Sequence, residues 1–505
     1  MPSFVSAPNL RALLFACLFA AFAPAAPAQN QDGNFDRSFN ARASWYGAPG
    51  WATMPFDHPG RSRHDTAQGL RLLRDGSFVV FGLAGRSASE NNNGLLAGVK
   101  LNGDGSPHAF WSSPEDQRGG TLSGRITWPY LFDNFTVLSA GYNPGGDDGM
   151  GIAGSGRMAV GGTFVNRARY FGVAPGGATI GGGAGSCELY AGAALRDFYA
   201  LGANSRYYDS AVIAGYVRRY GDQAFLPADC ELGIGQTRTR SVSDSLPSSP
   251  ASVIGATSVL PHYVGDSTNY LSSRRLYRNF NSAADNDVEL CNPGFDYSVS
   301  PPRGYGNCSL FQPNLGGHLD DLLYSVIPDD GFVTGLIESQ IALNTGSGDD
   351  RRVLTLARAA SYSVNEQGSV SSRPSIQRSF PLGDATGAAE TLSFHFPRGV
   401  VDGRNGTTLW VVMALRRFPG PDDYREIAVA RFNYFDLTLD TRFGNGTGWR
   451  RYSLGGKQVI PNAIRLDNQG RLVIAGAWQY NPDNDDWDYF VMRINDDVLF
   501  ANGFQ

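Results

Sequence analysis

The chain has 505 residues, a formal net charge of −5 at pH 7 and 42% hydrophobic residues. A mildly acidic chain of this kind lacks the basic surface that nucleic acid requires, which argues against a nucleic-acid-binding function. Its length exceeds what one compact core usually supports, and this favours a chain built from repeated units.

The first 28 residues predict a secretory signal peptide. Arg11 precedes an apolar run over 12–23, and the small residues Ala26 and Ala28 follow as a cleavage site would require. The run is too short to span a membrane, and no later segment approaches 18 continuous apolar residues. We therefore expect a mature chain over 29–505 that is secreted or periplasmic, has no membrane span and is a monomer.

Short β-branched and aromatic runs follow, separated by glycines and prolines, which is typical of an all-β fold with many short strands. Pairs of acidic residues recur along the C-terminal half, and each pair precedes a strand that ends in an arginine. The three pairs are Asp349/Asp350, Asp422/Asp423 and Asp485/Asp486, and the arginines are Arg358, Arg431 and Arg493. The recurrence predicts a repeat protein.

The segment 467–495 shows one repeat most clearly, because it reads as a β-hairpin with a turn at Gly470 and an acidic loop between two apolar runs. Units of about 60–75 residues with four strands each predict a β-propeller of six or seven four-stranded blades. We expect a single propeller over 29–505. Its middle, about 172–328, is degenerate and contains all four cysteines of the mature chain.

Several of these segments resemble the delta-60 repeat β-propeller family of exported bacterial proteins. The segments 74–82 and 467–476 are similar to the first half of that repeat, "PDGKIVVAG", and Ile427–Gly444 is similar to the second half, "ALARYNxDGSLDTSFG". The resemblance implies a propeller fold and export, and it implies no activity.

The residues after the signal peptide match only the end of a repeat. Asp32–Phe39 (DGNFDRSF) is similar to Asp436–Phe443 (DLTLDTRF), while the last repeat lacks such an ending. We therefore expect the N-terminal segment to complete the last blade, so that the ring closes without an exposed edge strand.

Cysteine usage predicts disulfide bonds in the mature chain. The candidates are Cys187, Cys230, Cys291 and Cys308, an even number in an exported chain. Four cysteines allow three pairings. We favour Cys187–Cys230 and Cys291–Cys308, because these residues are neighbours in sequence. A zinc site is the alternative, but the spacing of cysteines and histidines does not support it.

The acidic loops are the candidate metal sites. The candidate calcium ligands are Asp349, Asp350, Asp422, Asp423, Asp483 and Asp485, because alternating oxygen ligands in a loop suit calcium. Against this interpretation, the segment from Asn481 lacks the glycine and the terminal glutamate of an EF-hand loop. Aspartate also favours turns without any metal. No other cofactor is predicted.

The sequence contains no motif that assigns catalytic residues. The six histidines lack metalloprotease spacing, and no serine lies in a nucleophile-elbow motif. We therefore predict a non-enzymatic binding or scaffold protein that contacts an extracellular protein or glycan. The alternative is a propeller-fold polysaccharide hydrolase or lyase that uses carboxylates in the central channel.

Overall fold

The computed structural model describes the backbone of most of the chain between 33 and 495. The described ranges are 33–42, 45–56, 63–87, 93–108, 111, 124–132, 134–139, 150–160, 163–173, 185–191, 194–195, 197–207, 210–218, 225–233, 237–241, 253–258, 277–282, 285–296, 303–313, 315, 321–329, 332–341, 351–359, 361–364, 370–382, 391–404, 406–418, 421–482 and 485–495. The predicted signal peptide lies outside them, and so do Asp349, Asp350 and Asp483.

The described residues form β-strands and one 3₁₀ turn, Gly444–Gly446, which confirms the prediction of an all-β fold. In the first half, the strands are β1 Tyr46–Ala48, β2 Trp51–Met54, β3 Thr66–Leu72, β4 Phe78–Ser87, β5 Asn93–Leu101, β6 Arg125–Phe132, β7 Asn134–Ser139, β8 Met150–Val160, β9 Thr163–Val173, β10 Gly185–Ala191, β11 Ala194–Leu195, β12 Asp197–Tyr207, β13 Ser210–Arg218, β14 Phe225–Gly233, β15 Thr237–Ser241 and β16 Val253–Ser258. In the second half, they are β17 Tyr277–Ser282, β18 Asp285–Asp296, β19 Arg303–Phe311, β20 Asp321–Asp329, β21 Phe332–Ile341, β22 Arg351–Arg358, β23 Ser361–Val364, β24 Val370–Arg373, β25 Ile376–Phe380, β26 Thr391–Val401, β27 Thr408–Phe418, β28 Glu426–Asn433, β29 Trp449–Ser453, β30 Val459–Leu466, β31 Leu472–Asn481 and β32 Asp486–Ile494.

Most strands pair with their neighbours in sequence as antiparallel meanders. Four-stranded sheets are formed by β3–β6, by β16–β19, by β20, β21, β22 and β25, and by β26–β29. A six-stranded sheet contains β7–β11 and β15, a three-stranded sheet contains β12–β14, and β23 and β24 form a hairpin. Small meandering sheets of this kind are typical of propeller blades.

The last sheet joins both ends of the described chain. Its order is β1-β2-β32-β31-β30, and Trp51 of β2 lies opposite Met492 of β32. Ahead of β1, Phe35 also forms a bridge with Ile494. The N-terminal strands therefore join the sheet of the last three strands, but they lie at 46–54, whereas the described residues of the predicted segment 32–39 contribute the bridge at Phe35 and no strand.

The recurring turns rely on one aspartate hydrogen bond. The Asp carboxylate accepts the backbone N–H of the residue two positions later in the pairs Asp36–Ser38, Asp75–Ser77, Asp104–Ser106 and Asp436–Thr438. In the β30–β31 turn the same interaction links Asp467 and Gln469, and Gly470 takes a φ of +82°, which suits glycine. These turns explain the glycine and aspartate periodicity of the sequence.

Apolar side chains fill the space between neighbouring sheets. One cluster joins the last sheet to the β3–β6 sheet, with Met54, Val80 and Tyr489 in contact. Another joins the last sheet to the β26–β29 sheet through Trp410 and Ile474. Both faces of these sheets are thus buried, which fits strands that read as apolar runs. Among the described residues, no helix is long and apolar enough to cross a membrane.

The sheet register bears on one of the two predicted disulfides. Cys291 of β18 lies directly opposite Cys308 of β19. Opposite residues in an antiparallel pair have Cα atoms about 4.5–5.5 Å apart, within the range that a disulfide spans. Cys187 lies in β10 and Cys230 in β14, two strands that approach each other.

We predict that peptide mapping of the unreduced protein will recover a peptide linked between Cys291 and Cys308. The link should disappear in the Cys308→Ser variant. The peptide that contains Cys187 is the internal control, and its linkage should be the same in the variant and the wild type. Recovery of both thiols in the free form would contradict the prediction, and so would a link from Cys291 to Cys187 or Cys230.

Candidate functional site

A group of polar and aromatic side chains lies between the β20–β22 sheet and the β26–β28 sheet. It consists of Tyr324, Glu338, His395, Phe396 and Tyr424, and we call it the rim cluster. Tyr324 lies on β20, Glu338 on β21, His395 and Phe396 on β26, and Tyr424 in the loop between β27 and β28. At the rim cluster, β26, the first strand of one sheet, therefore meets β21, the second strand of the neighbouring sheet.

The first strands of the two sheets, β20 and β26, each contain a β-bulge that positions side chains of the rim cluster. The β20 register shifts between Leu323 and Ser325, so that Tyr324 is a bulge residue. The β26 register shifts between His395 and Arg398, and within this bulge Phe396 takes a φ of +56°. A positive φ is strained for a bulky residue and persists only where the surroundings hold it in place. Strain of this kind is concentrated at functional sites.

The Glu338 carboxylate lies at the centre of the rim cluster. The residue is almost fully buried, with 4% of its surface exposed. Its Oε1 lies 3.0 Å from His395 Nδ1, and its Oε2 accepts the backbone N–H of the strained Phe396 at 3.1 Å. Arg352 Nε lies 3.9 Å from Oε1. A buried carboxylate needs such donors, and here they also fix the His395 ring and the bulge.

A serine continues this hydrogen-bonded line. His395 Nε2 lies 2.8 Å from Ser393 Oγ, so that Ser393, His395 and Glu338 are linked in the order of a serine-hydrolase triad. However, Ser393 is fully buried, and its Oγ already accepts the Arg352 backbone N–H at 2.8 Å. The serine therefore orients His395 and does not act as a nucleophile.

The tyrosines and Phe396 form the half-buried surface of the rim cluster. The Phe396 ring packs edge-on against Tyr324 at 5.5 Å and against Tyr424 at 5.4 Å, and the His395 ring lies 5.1 Å from Tyr424. Burial raises the pKa of Tyr324 to about 12, and the Glu338 charge adds to the shift. Burial and the Asp422 charge raise the pKa of Tyr424 to about 12. Both phenols therefore keep their protons at neutral pH.

The structure brings one predicted metal ligand to the rim cluster. The exposed Asp422 carboxylate hydrogen-bonds with the Tyr424 side chain and forms an ion pair with Arg416. Its neighbour Asp423 pairs with Arg425 at 2.6 Å. Both candidates are therefore engaged by arginines, and only Asp422 lies beside the aromatic surface.

The remaining described metal candidate lies in another sheet. Asp485, between β31 and β32, contacts His64 Nδ1 at 3.1 Å and accepts the Trp487 Nε1–H at 2.7 Å. Within the described ranges, no three His, Cys, Asp or Glu side chains come together in a way that could hold a metal ion. Calcium binding therefore stays a prediction from the sequence.

The candidate cysteines of the middle region are not members of the rim cluster. They lie on β10, β14, β18 and β19, whereas the rim cluster lies on β20, β21, β26 and the following loop. Sequence reasoning missed every member of the rim cluster and identified only its neighbour Asp422. The available sequence signal is Glu338, the one charged residue of β21.

Similarity to known proteins is found among solved structures. No family model and no curated protein matches the chain. Among solved structures, it resembles the α-L-arabinofuranosidase Arb93A from Fusarium graminearum (TM-score 0.38) and an α-L-arabinanase from Penicillium chrysogenum (TM-score 0.37). Both are 10% identical, and each match covers 88% of this chain and 97% of the enzyme. The Trypanosoma rangeli sialidase matches with a TM-score of 0.33 and 9% identity, over 90% of this chain and 60% of that enzyme.

These resemblances concern the fold alone, since identity and TM-score are low, and we transfer no residue or substrate from them. The prediction of a non-enzymatic binding or scaffold protein is corrected: the solved structures named above are an α-L-arabinofuranosidase, an α-L-arabinanase and a sialidase, all of them enzymes.

Proposed function

We propose that the protein is a polysaccharide-cleaving enzyme that hydrolyses glycosidic bonds at the rim cluster. The observation that carries the proposal is the buried Glu338 carboxylate, which is hydrogen-bonded to His395 and to the strained Phe396 and lies beneath two half-buried tyrosines. A buried charge beside a strained residue and convergent aromatic rings is the arrangement expected of an active site.

The aromatic surface suits a sugar ring. Tyr324, Phe396 and Tyr424 are each partly exposed, and their rings present apolar faces beside two hydroxyl groups. A pyranose or furanose ring combines C–H faces with a rim of hydroxyls, so it can pack on the rings and hydrogen-bond to the phenols at once.

Two carboxylates flank Tyr424 and supply the charges that glycoside hydrolysis needs. In the proposed reaction, water attacks the anomeric carbon, the glycosidic C–O bond breaks, and the leaving oxygen takes up a proton. The exposed Asp422 carboxylate takes the proton that the attacking water loses and passes it to the leaving oxygen, so that the carboxylate is regenerated. The buried Glu338 provides a fixed negative charge that stabilises the positive charge developing on the sugar ring.

The same proposal includes a closed ring of seven blades. The first strands of seven sheets approach one another in sequence, namely β3, β7, β12, β16, β20, β26 and β30, and β30 approaches β3. This succession supports a ring around a central channel lined by first strands. The pairing of β2 with β32 supports closure by the N-terminal segment.

Export and membership of the delta-60 repeat family are also part of the proposal. The pattern of Arg11, apolar run and small residues supports export. The aspartate turns of the hairpins support the repeat resemblance, because that repeat carries an Asp-Gly pair in each half.

We predict that the exported protein releases reducing ends from at least one member of a panel of neutral and acidic polysaccharides. Tyr424→Phe should lower the rate about 10-fold, because the variant keeps the ring and loses a hydroxyl that contacts the sugar. Tyr480→Phe is the matched control, since Tyr480 is an exposed tyrosine on β31. Absence of reducing-end release from every polysaccharide would contradict the proposed function, and so would equal rates for Tyr424→Phe and the wild type.

A further inference from the structure

Three arginines lie on the first strands of their sheets, either beside the rim cluster or deeper along the proposed channel. They stand out because the chain as a whole is acidic. Arg398 lies on β26, Arg465 on β30 and Arg71 on β3. These strands are consecutive around the proposed channel, because β26 approaches β30 and β30 approaches β3. Positive charge is therefore concentrated where a bound chain would pass.

Arg398 lies directly beside the rim cluster and spans three sheets. Its Nη1 donates to the carbonyl oxygen of Tyr324 at 3.1 Å, and its Nε donates to the carbonyl oxygen of Asn462 at 3.2 Å. Its guanidinium also lies 5.8 Å from the centroid of the Tyr324 ring. Main-chain carbonyls on both sides thus fix the group in the channel, and burial lowers its pKa.

Arg465 and Arg71 occupy equivalent positions on adjacent strands. Each lies three residues after the bulge residue of its strand, Asn462 in β30 and Gln68 in β3. Three residues of strand span about 10 Å, so the pair lies deeper in the channel than the rim cluster. The strands are joined here, because Asn462 Nδ2 donates to the carbonyl oxygen of Ala67 at 2.9 Å.

Arg465 lies at the border between protein and solvent. Its side chain reaches solvent, yet the protein atoms around it lower its pKa, and the like charge of Arg71 lowers it further. Its Nη1 donates to the carbonyl oxygen of Ile464 at 2.8 Å. An arginine nevertheless keeps its charge at neutral pH.

No carboxylate among the described residues forms an ion pair with Arg398 or Arg465. Glu338 is the carboxylate that acts on the pKa of Arg398, but its own hydrogen bonds go to His395 and Phe396. Guanidinium groups that are partly desolvated and form no ion pair with a described carboxylate favour an anionic ligand.

We infer that the substrate is an acidic polysaccharide, whose sugar carboxylates are bound by Arg398 and Arg465. The inference rests on the proposed function and names the substrate class of the same site. Arg398 binds the acid group of the sugar at the rim cluster. Arg465, with Arg71 beside it, binds an acid group on a sugar further along the channel.

The test measures binding of oligosaccharides to the full-length exported protein by calorimetry. The acidic probes are oligogalacturonate, oligoalginate and oligomers of a glucuronate-containing glycan, and the neutral probes are arabino-, xylo- and galacto-oligosaccharides. Methyl-esterified oligogalacturonate is the matched ligand control, because it keeps the sugars and neutralises their carboxylates. Arg398→Gln and Arg465→Gln are compared with Arg442→Gln, whose side chain is 80% exposed in a surface turn.

We expect at least one acidic probe to bind more tightly than its neutral counterpart, and to bind more weakly at high salt. Each channel variant should weaken that binding about 10-fold or more, whereas Arg442→Gln should not change it. Arg465→Gln keeps the test decisive if Arg398→Gln does not fold, because among the described residues the Arg465 side chain hydrogen-bonds to its own strand, at Ile464.

Two results would overturn the inference, and they differ in what they say about the proposed function. Binding or cleavage of neutral oligosaccharides alone, unaffected by either channel variant, would refute the acidic substrate and leave the glycosidase proposal standing. Failure of every probe to bind, together with failure of the polysaccharide panel to release reducing ends, would refute both.

Discussion

Replacing Glu338 with glutamine is expected to lower kcat for glycoside cleavage about 100-fold, and to change KM little. The variant keeps the volume of the side chain and an oxygen that accepts hydrogen bonds, but it removes the charge. Glu338 is almost fully buried beneath the tyrosines, so it acts on the charge of the transition state more than on the bound sugar. A 100-fold loss corresponds to about 2.7 kcal/mol of transition-state stabilisation.

The control for this prediction is Glu426→Gln. Glu426 begins β28, the strand that follows the Tyr424 loop, and its carboxylate lies 3.8 Å from Arg451 Nε with a quarter of its side chain exposed. That variant should cleave at the wild-type rate. Thermal melting of both variants separates a lost charge from a lost fold, because Arg352 lies near Glu338 and removal of one partner from a buried pair is destabilising.

A Glu338→Gln enzyme that melts like the wild type and retains a kcat within about threefold of it would exclude Glu338 from the reaction. The rim cluster would then be a buried polar network that holds two sheets together. Such an outcome is informative because the same hydrogen bonds, from His395 and Phe396, serve either role.

The fold could be predicted from the sequence because its determinants are local and repeated. The aspartate turns, exemplified by Asp75–Ser77 and Asp436–Thr438, are encoded within three residues each. The apolar runs between them read directly as strands. The Asp and Phe of the N-terminal segment also recur in the same order at the end of another repeat, but ring closure by that segment stays a prediction.

The candidate site could not be predicted in the same way, because its members are far apart in the chain. Tyr324, Glu338, His395 and Tyr424 come from four segments, and none carries a motif. A bulge brings Phe396 to its strained conformation, and a bulge depends on register, which a sequence pattern does not specify. The sequence predicts Asp422 as one member of a row of acidic loops, and the structure adds its contacts with Tyr424 and Arg416.

The second large effect concerns the N-terminal segment, where Asp36→Asn is expected to lower the melting temperature by several degrees. Asp36 Oδ2 accepts hydrogen bonds from Arg493 Nε at 2.8 Å and from Arg471 Nη1 at 2.9 Å, and Arg493 is only 2% exposed. Removing one partner of a buried ion pair costs about 3–5 kcal/mol, because the other charge stays buried. At roughly 2.1 cal/mol/K per residue, a chain of this size loses about 1 °C for each kcal/mol.

The effect should depend on pH in a defined direction. Hydrogen bonds from Ser38 and the charges of Arg493 and Arg471 outweigh the opposing effect of burial and hold the folded pKa of Asp36 below its ordinary value. The stability that Asp36 contributes is therefore fully present above the unfolded pKa of about 3.9, and it is lost as pH falls through the folded pKa. The difference in melting temperature between wild type and Asp36→Asn should shrink below about pH 4.

The same contact recurs within one repeat and supplies the control. Arg431 Nε lies 3.0 Å from Asp440 and its guanidinium lies 5.4 Å from the Phe443 ring, just as the Arg493 guanidinium lies 5.0 Å from the Phe39 ring. Asp440→Asn breaks an ion pair inside a continuous stretch of chain. Asp36→Asn breaks one that joins two segments more than 450 residues apart.

Both variants should therefore lose stability, but only Asp36→Asn should release the N-terminal segment. Limited proteolysis and hydrogen exchange over 33–54 measure that release directly, and deletion of residues 29–45 should produce the full loss. Residues 33–54 could instead be as well protected from proteolysis and hydrogen exchange in Asp36→Asn as in Asp440→Asn. In that case the segment is held by the β2–β32 pairing alone. The buried ion pair would then be a local contact of the last sheet, and the two ends of the chain would depend on backbone hydrogen bonds for their connection.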